Sequence, residues 1–413
     1  MDRNGGDRLA TDAAWRARAA KVIPGGLYGH QNVAALPPGY PQFMSHGLGS
    51  HVWDVDGNEY IDLMCSYGPV LLGHRHPRVD EAAARQAAEA DCQNGPSPRM
   101  VELAETLTAT VHHADWAIFS KNGTDATTQC VTIARAATGK RKILVASGAY
   151  HGAAPWCTPG PAGVLAEDRA HLLEYRYNDL ASVAAAVAAA GDDVAGIVVS
   201  PIRHDIGIDL ELPDPAFATG LRVLCDRIGA VLILDDVRCG FRLHHGSSWE
   251  PVGVDPDLSA WSKAIANGYA LGAVLGRQSL AGAVRKIYTT GSFWFAAVSM
   301  AASLATMQVL EEEDTVGMTV KIGTMLREGL AEQASARQLE VSLSGPVQMP
   351  FMTFADDDPT FAMANTFSRH CILGGVYLHP RHNWFVSGAM DEDDLDLVLA
   401  VTDAAFDQLA ATT

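Results

Sequence analysis

A short apolar run that ends in two carboxylates constrains this chain more than any other feature of its sequence. Val231–Leu234 is long enough for a strand that is buried on both faces and too short for a buried helix. Asp235 and Asp236 follow at once, and burying acids there is costly unless they have a partner. In open α/β sheets, ligands bind at the carboxyl ends of the parallel strands. The pattern therefore predicts a ligand site at this point.

Lys263 is the lysine whose surroundings differ most from those of the other lysines. It lies among apolar residues that follow the acidic pair along the chain. Such a side chain usually extends its ammonium group into water. The alternative is a desolvated amine with a lowered pKa, which can form a Schiff base with a carbonyl group. Pyridoxal 5'-phosphate (PLP) chemistry needs that amine and an acid beside the pyridine nitrogen, and Lys263 with Asp235 supplies both.

Two motifs around these residues resemble those of a known family. Residues 232–242 (LILDDVRCGFR) are similar to the strand motif LIFDEVxTGFR of class III aminotransferases, and residues 255–273 are similar to their lysine segment. The similarity extends from about Val22 to the C-terminus. It is strongest to the branch that contains glutamate-1-semialdehyde 2,1-aminomutase and related aminotransferases.

The resemblance implies the architecture of the chain. It predicts the α/β fold of fold type I PLP-dependent transferases, in which helices flank a large, mostly parallel seven-stranded sheet. A small α+β domain is expected from the C-terminus and the N-terminal segment, with terminal strands at 374–380 and 384–387. The expected division is an N-terminal segment (1–60) that packs with the small domain, a large PLP-binding domain (61–305) and a small C-terminal domain (306–413).

The turn Asn122-Gly123-Thr124 lies between a predicted strand at Trp116–Phe119 and a predicted helix from about Thr127. A turn at the start of a helix offers backbone N–H groups and the helix dipole to a phosphate group. Taken alone, such a turn is more often a simple helix cap. Its resemblance to the family motif NSGTEA implies that Asn122, Gly123 and Thr124 bind the PLP phosphate.

The resemblance implies four further cofactor residues. Tyr150 would stack on one face of the pyridine ring with His151 close by, and Val237 would press on the opposite face. Ser292 stands where a threonine of the family reaches the phosphate of the neighbouring subunit's cofactor. A homodimer with active sites at the subunit interface is therefore expected.

Candidate substrate residues are less well defined. Tyr67 replaces a tryptophan of the family and would line the substrate pocket, and Trp294 suggests an aromatic pocket wall, although core packing is the alternative. Asn32 stands where the aminomutase has an arginine that binds a substrate carboxylate. Arg203 and His204 could contact an anionic substrate or form a surface ion pair. Several arginines could bind a carboxylate, and the sequence does not choose among Arg203, Arg238, Arg242 and Arg381.

Composition excludes some classes of partner. The chain of 413 residues has a net charge of −18, which argues against nucleic acid or an anionic membrane surface as a partner. It has no apolar run long enough to cross a bilayer. Its seven scattered cysteines indicate reduced thiols and a cytoplasmic location. His74 and His76 are better explained as part of a turn than as metal ligands, so no metal is expected.

Together these features predict a PLP-dependent aminotransferase that moves an amino group from an amine or amino acid to a keto or aldehyde acceptor through Lys263. An intramolecular aminomutase uses the same residues, but the loss of the arginine at Asn32 makes it less favoured. A racemase, lyase or decarboxylase remains a further alternative. A protein that only binds PLP is disfavoured because both Lys263 and Asp235 are present.

Overall fold

The apolar runs of the central part of the chain pair into one sheet of seven strands. The computed structural model describes residues 8–29, 32, 34, 36–204 and 207–411. Within these residues the strands are β1 (Met44–Leu48), β2 (His51–Asp54), β3 (Glu59–Asp62), β4 (Trp116–Ser120), β5 (Lys142–Ala146), β6 (Leu172–Tyr175), β7 (Val194–Val199), β8 (Val231–Asp235), β9 (Leu258–Trp261), β10 (Gly272–Gly276), β11 (Val341–Ser344), β12 (Phe351–Phe354) and β13 (Val376–Tyr377).

The helices of the same residues alternate with the strands in the central part of the chain. They are α1 (Ala10–Val22), α2 (Pro77–Glu89), α3 (Arg99–Thr110), α4 (Gly123–Thr138), α5 (Leu180–Ala190), α6 (Pro215–Ile228), α7 (Ala281–Val284), α8 (Ala297–Glu312), α9 (Thr315–Ala336), α10 (Ala362–Leu373) and α11 (Glu392–Ala410). No helix in the described part of the chain is both long enough and apolar enough to cross a membrane.

The large sheet has the order β4-β10-β9-β8-β7-β5-β6. Strands β9, β8, β7, β5 and β6 pair in parallel, and β10 is antiparallel to both of its neighbours. The parallel strands require long crossover connections, which α4, α5 and α6 provide. The predicted fold, a mostly parallel seven-stranded sheet flanked by helices, is confirmed.

Strand register places the acidic pair at one edge of this sheet. Leu234 of β8 pairs with Val199 of β7, and Asp235 pairs with Ala260 of β9. All residues of β7, β8 and β9 are buried. The carboxyl ends of three adjacent buried strands therefore lie beside one another, and the turn after β9 leads directly to Lys263.

The chain forms two compact units. One comprises the described residues of Pro77–Asp205 and Leu210–Val316 and contains the seven-stranded sheet. The other comprises those of Met1–His76, Ile206–Asp209 and Gly317–Thr413, and contains the sheet β1-β2-β3-β13 and the hairpin β11-β12. The finer division at residues 60 and 305 stays a prediction.

The C-terminal strands are shorter than expected. Only Val376–Tyr377 of the expected 374–380 strand is paired, and 384–387 forms no strand. The backbone N–H groups of Trp384 and Phe385 donate to different segments, at Pro350 and Leu63 respectively. A chain that alternates between two partners satisfies its backbone groups without building a continuous ladder with either.

Candidate active site

The start of helix α4 forms one wall of the candidate site. Asn122 follows β4 and caps the helix, because its side chain accepts a hydrogen bond from the backbone N–H of Asp125 at 2.9 Å. Gly123 and Thr124 begin the first turn, whose N–H groups have no partner within the helix. These groups and the positive end of the helix dipole are suited to hold a phosphate group.

Two glycines let neighbouring segments approach this turn closely. A Cβ on Gly123 would lie 2.6 Å from Cγ1 of Val237, so a larger residue would push α4 away from the chain after β8. Gly152 has a φ of +127°, and a Cβ there would lie 2.5 Å from Oγ1 of Thr124. The same Oγ1 accepts a hydrogen bond from the N–H of Ala153 at 3.1 Å. Both contacts shape a narrow cradle around the helix start.

A carboxylate and an imidazole form a buried pair at the end of β8. Asp235 is only 6% exposed, and its Oδ2 lies 2.6 Å from Nδ1 of His151. Its Oδ1 accepts a hydrogen bond from the N–H of Val237 at 3.2 Å. His151 is buried, and its Nε2 has no hydrogen-bond partner among the described residues. Because buried polar atoms are rarely left unpaired, this nitrogen points to a ligand.

Lys263 lies on the short turn after β9. Its backbone has a φ of +54°, a left-handed conformation that costs a non-glycine residue roughly 1–2 kcal/mol. Ser262 anchors the turn by donating to the carbonyl oxygen of Leu271 at 2.7 Å. Burial lowers the pKa of the Lys263 amine to about 7, and the positive charge of Arg238 adds to this effect while Asp235 opposes it. A large fraction of the amine is therefore neutral near pH 7.

These groups face one cavity of about 250 Å³. All eight of the predicted cofactor residues other than Ser292 lie on its wall. Within the described part of the chain the wall is formed by Asn122, Gly123, Thr124, Thr127, Tyr150, His151, Gly152, His204, Asp235, Val237, Arg238, Ser262 and Lys263. The structure brings these side chains together, whereas the role of each residue stays a prediction.

The segment that carries Ser292 and Trp294 does not contribute to this wall. Ser292 is exposed, and Phe293 beside it is 66% exposed. Trp294 is half-buried and lies against the backbone of Gly291, where a Cβ would come within 2.5 Å of the indole nitrogen. Its predicted contact with substrate is not visible within the single chain.

Tyr67 and Asn32 belong to the other unit. Tyr67 has a left-handed backbone (φ +63°), and its ring lies edge-on to His382 with centroids 5.0 Å apart. Burial raises the pKa of the Tyr67 phenol to about 12. The side chain of Asn32 accepts a hydrogen bond from the N–H of Ala34 at 3.0 Å, as in a local turn.

Arg203 follows β7 and forms an ion pair. Its Nη1 lies 3.0 Å from Oε2 of Glu211, and the backbones of the two residues also pair. Both side chains are about one-third exposed. The sequence left open whether Arg203 contacts an anionic substrate or forms an ion pair. The structure shows the ion pair, and Arg203 is not part of the cavity wall.

Sequence reasoning missed three residues of the wall, namely Thr127, Gly152 and Ser262. Thr127 Oγ1 donates to the carbonyl oxygen of His151 at 2.7 Å, which ties α4 to the loop after β5. The sequence did contain one indication for Thr127, since it follows Gly123 and Thr124 by one helical turn and so shares their face of the helix.

The histidines at 74 and 76 were considered as metal ligands. The side chain of His74 lies 2.8 Å from that of Asp62, and the described residues contain no group of three that could hold a metal ion.

Three features of the cavity fit PLP. The helix start at Gly123 could hold a phosphate group, the carboxylate of the Asp235–His151 pair could meet a ring nitrogen, and the desolvated Lys263 amine could hold an aldehyde. The unpartnered Nε2 of His151 is consistent with a group that fills the space between them. The fold and the site together define a fold type I PLP-dependent enzyme.

Comparison with known proteins gives the family. Residues 35–349 match the sequence profile of the family Aminotransferase class-III. The chain is 47% identical over 391 residues to the aminopentol aminotransferase of Sphingopyxis macrogoltabida, covering 95% of this chain and 92% of that protein. It is 32% identical to the glutamate-1-semialdehyde 2,1-aminomutase of Syntrophomonas wolfei, covering 95% of this chain and 96% of that protein.

A solved structure gives the same result. The FumI protein of Sphingopyxis sp. MTA144, in its PLP internal aldimine form, superposes with a TM-score of 0.95 at 46% identity, covering 96% of each chain. The chain therefore belongs to the class III aminotransferase family and is a PLP-dependent aminotransferase. The predicted family, cofactor and reaction class are confirmed.

Proposed function

We propose that this chain transfers an amino group from a primary amine to a carbonyl acceptor, with Lys263 as the residue that holds PLP and moves the proton. The observation that carries the proposal is one cavity in which the desolvated Lys263 amine and the Asp235–His151 pair share a wall. The pKa of about 7 lets the amine exchange a proton near neutral pH.

Each residue of the wall has one task in this proposal. Bound PLP stabilises the negative charge that develops when a proton leaves the carbon beside the substrate nitrogen. Neutral Lys263 would remove that proton at Nζ and deliver it to the cofactor carbon on the other side of the substrate nitrogen. Asp235 keeps a proton on the ring nitrogen, and His151 orients the carboxylate through Nδ1. Asn122, Gly123 and Thr124 hold the phosphate.

The donor we propose is a hydroxylated primary amine without a carboxylate. Support comes from the relative named aminopentol aminotransferase, which is 47% identical over 95% of this chain. The word aminopentol describes an amine with five hydroxyl groups. The aminomutase reading is less favoured, because Asn32 replaces the arginine expected there and its side chain is engaged in a local turn.

A homodimer is part of the same proposal. Two large apolar side chains lie exposed on either side of Ser292, with Tyr288 at 94% and Phe293 at 66%. Surface of this kind is typical of an interface, and a second copy that covered it would bring Ser292 to a neighbouring cofactor. We also propose a cytoplasmic location, supported by the free cysteines of the described residues.

The test is a half-reaction followed by visible absorption. The PLP-loaded protein receives aminopentol or a simpler amino-alcohol without any acceptor. We expect the absorbance of the aldehyde form of the cofactor to decay to that of the amine form while one equivalent of carbonyl product appears. Isomerisation of glutamate-1-semialdehyde with no net change in cofactor form would instead establish an aminomutase. No spectral change with any amine would refute amino transfer.

A further inference from the structure

A buried histidine on the cavity wall has no task in the proposed reaction. His204 follows β7, the parallel neighbour of β8, so it lies at the same carboxyl edge of the sheet as Asp235. It shares the wall with Lys263, which follows β9 on the other side of β8. A molecule held by Lys263 therefore has His204 as a neighbour within a cavity of about 250 Å³.

The imidazole of His204 lacks a partner that buried polar groups normally have. The residue is 8% exposed, and its Nδ1 makes no hydrogen bond within the described part of the chain. Leaving a buried polar atom unpaired is costly, and such atoms are usually satisfied by a protein group, a water molecule or a ligand. Because this imidazole forms part of the cavity wall, a molecule in the cavity is placed to supply the missing hydrogen bond.

The charge state of His204 indicates which group it recognises. Burial lowers the pKa of His204 well below its usual range, and the positive charges of Arg238 and Lys263 lower it further, so the imidazole is neutral. A neutral imidazole has one nitrogen that donates a hydrogen bond and one that accepts. A hydroxyl group also donates and accepts, and so matches this ring in either orientation. An ammonium group would instead meet the same positive charges that keep the proton off His204.

Two hydroxyl groups on the described wall are already engaged with the protein. Thr127 donates to the carbonyl oxygen of His151 at 2.7 Å, and Ser262 donates to that of Leu271 at 2.7 Å. Each of these hydroxyls spends its one proton on the backbone and holds a turn of the site in place. His204 differs from them, because no backbone group takes up its Nδ1.

A second buried histidine shows why the position on the wall matters. His113 is 5% exposed, burial lowers its pKa to about 4, and its Nδ1 also lacks a partner among the described residues. Its Nε2, however, lies 2.7 Å from Oγ of Ser259, and the residue does not line the cavity. His113 is therefore held within the protein, whereas His204 combines an unpaired nitrogen with a place beside Lys263.

We propose that the imidazole of His204 hydrogen-bonds a hydroxyl group of the amino donor, on the carbon next to the one that carries the amine. This inference rests on the proposed amino transfer from a hydroxylated amine and adds the residue that selects the donor. The amine-bearing carbon must reach Lys263, so in a small cavity the nearest hydroxyl is the one that meets the neighbouring His204. A donor without that hydroxyl leaves the imidazole unpaired and is disfavoured.

The experiment compares 2-amino-1-propanol, each enantiomer in turn, with 2-aminopropane, which differs only by the missing hydroxyl oxygen. Each amine reacts with the PLP-loaded holoenzyme, and the ratio of the two kcat/KM values measures recognition of the hydroxyl. We expect the wild-type protein to prefer one enantiomer of the amino-alcohol, and His204→Phe to reduce that preference about 10-fold, because one buried hydrogen bond is lost. His204→Gln keeps a group that donates and accepts, and should retain part of the preference.

The matched control is His113→Phe, which removes the other buried neutral imidazole and should leave the ratio unchanged. The ratio also separates recognition of the donor from other roles of His204. If His204 only contacts the cofactor or supports the fold, His204→Phe slows both amines by the same factor. An unchanged ratio in His204→Phe therefore overturns the inference, as does an equal loss of preference in His113→Phe.

A binding measurement distinguishes this inference from the proposed function. Both amines are titrated into Lys263→Ala loaded with PLP, in which the amine binds without being converted, and visible absorption gives the two dissociation constants. Tighter binding of 2-amino-1-propanol that is lost when His204→Phe is added supports the inference even if the wild-type protein never converts an amine. A ratio of dissociation constants that is the same with and without His204→Phe overturns it, even if amino transfer is observed.

Discussion

The carboxyl edge of the seven-stranded sheet differs sharply from the segment that follows α7. At the sheet edge, Asp235 is buried, bonded to His151 and paired with Ala260 of β9. The partly buried Lys263 lies in the turn directly after β9. Between Tyr288 and Phe293 the chain is largely exposed, and Ser292 has no place on the cavity wall. A single chain therefore already brings Asp235 and Lys263 to one cavity, whereas in the proposed homodimer the exposed segment is the part that a second copy would cover.

The largest effect is expected at Lys263, because no other amine lines the described cavity wall. Lys263→Ala should reduce kcat for amino transfer by at least about 10³-fold, since the amine that we propose as both nucleophile and proton carrier is lost. The matched control is Lys121→Ala. Lys121 is also partly buried with a lowered pKa, but it donates to Ala270 and Ser299 outside the cavity. A similar loss in both variants would contradict the assignment.

The next prediction contrasts the two neighbouring carboxylates. Asp235→Asn removes the carboxylate that we propose keeps a proton on the ring nitrogen, and we expect about a 10²-fold lower rate of the donor half-reaction with PLP still bound. Asp236→Asn should change that rate less than 5-fold, because Asp236 is directed at Ser248 (Oγ at 2.5 Å) and Ser247. Single-turnover absorbance measurements on both variants make the comparison.

Asp236 should instead make the free energy of unfolding depend on pH. Burial raises its pKa to about 7, and hydrogen bonds from Ser248 and Ser247 oppose the shift. Because the folded state keeps this proton to higher pH than the unfolded chain, the contribution to stability is full below about pH 4 and is lost as the pH rises to about 7. Relative to Asp236→Asn, the wild-type protein should lose on the order of 3 kcal/mol of unfolding free energy over this range.

Urea unfolding of the two proteins at pH 4, 5.5 and 7 measures this difference. Asp193→Asn is a suitable control, because Asp193 pairs with Arg141 on the surface and its pKa is lowered instead of raised. If the unfolding free energies of the wild-type protein and Asp236→Asn change in parallel from pH 4 to pH 7, the pKa of the buried carboxyl is not raised in the folded protein.

The sequence predicts the groups at the sheet edge better than it predicts the rest of the cavity wall. Asp235 and Asn122 each come at or just after the end of an apolar strand. Because parallel strands end at the same edge of a sheet, this pattern predicts that the two side chains lie at one edge. Lys263 lies in a turn after the next strand, and its resemblance to a family motif was needed to place it. Thr127 and Ser262 were missed because a threonine or serine in a helix or turn is too common to carry a signal.

The expected substrate residues show the limit of this reasoning. Arg203 and Arg238 both follow strands of the sheet, and no pattern in the sequence tells which guanidinium faces the cavity. Arg203 is held away from the cavity wall by Glu211, which pairs with it through both backbone and side chain. The prediction of a strand at 384–387 was wrong because of contacts that are distant in the sequence. The backbone hydrogen-bond partners of this segment come from two separate parts of the chain.

A smaller effect is expected from the close packing at the start of α4. In Gly123→Ala the added Cβ would lie 2.6 Å from Cγ1 of Val237, a distance that real Cβ atoms essentially never show, so the helix start or the Val237 side chain must shift. We expect the dissociation constant for PLP to rise about 10-fold, the order of magnitude of one weakened hydrogen bond. Gly282→Ala, where a Cβ meets nothing within 4 Å, is the control. Unchanged cofactor affinity in Gly123→Ala would place the phosphate elsewhere.

The smallest effect concerns the support of His151. Thr127→Val removes the hydroxyl that donates to the His151 carbonyl oxygen at 2.7 Å while keeping the side-chain shape. One net hydrogen bond is worth about 1 kcal/mol, so we expect about a 5-fold lower rate of the donor half-reaction. Thr132→Val breaks an equivalent bond to a backbone oxygen on the exposed face of α4 and should leave that rate unchanged. If both variants react at the wild-type rate, the Asp235–His151 pair is held by strand β8 alone, and the hydrogen bond from α4 to the loop after β5 contributes only to the fold.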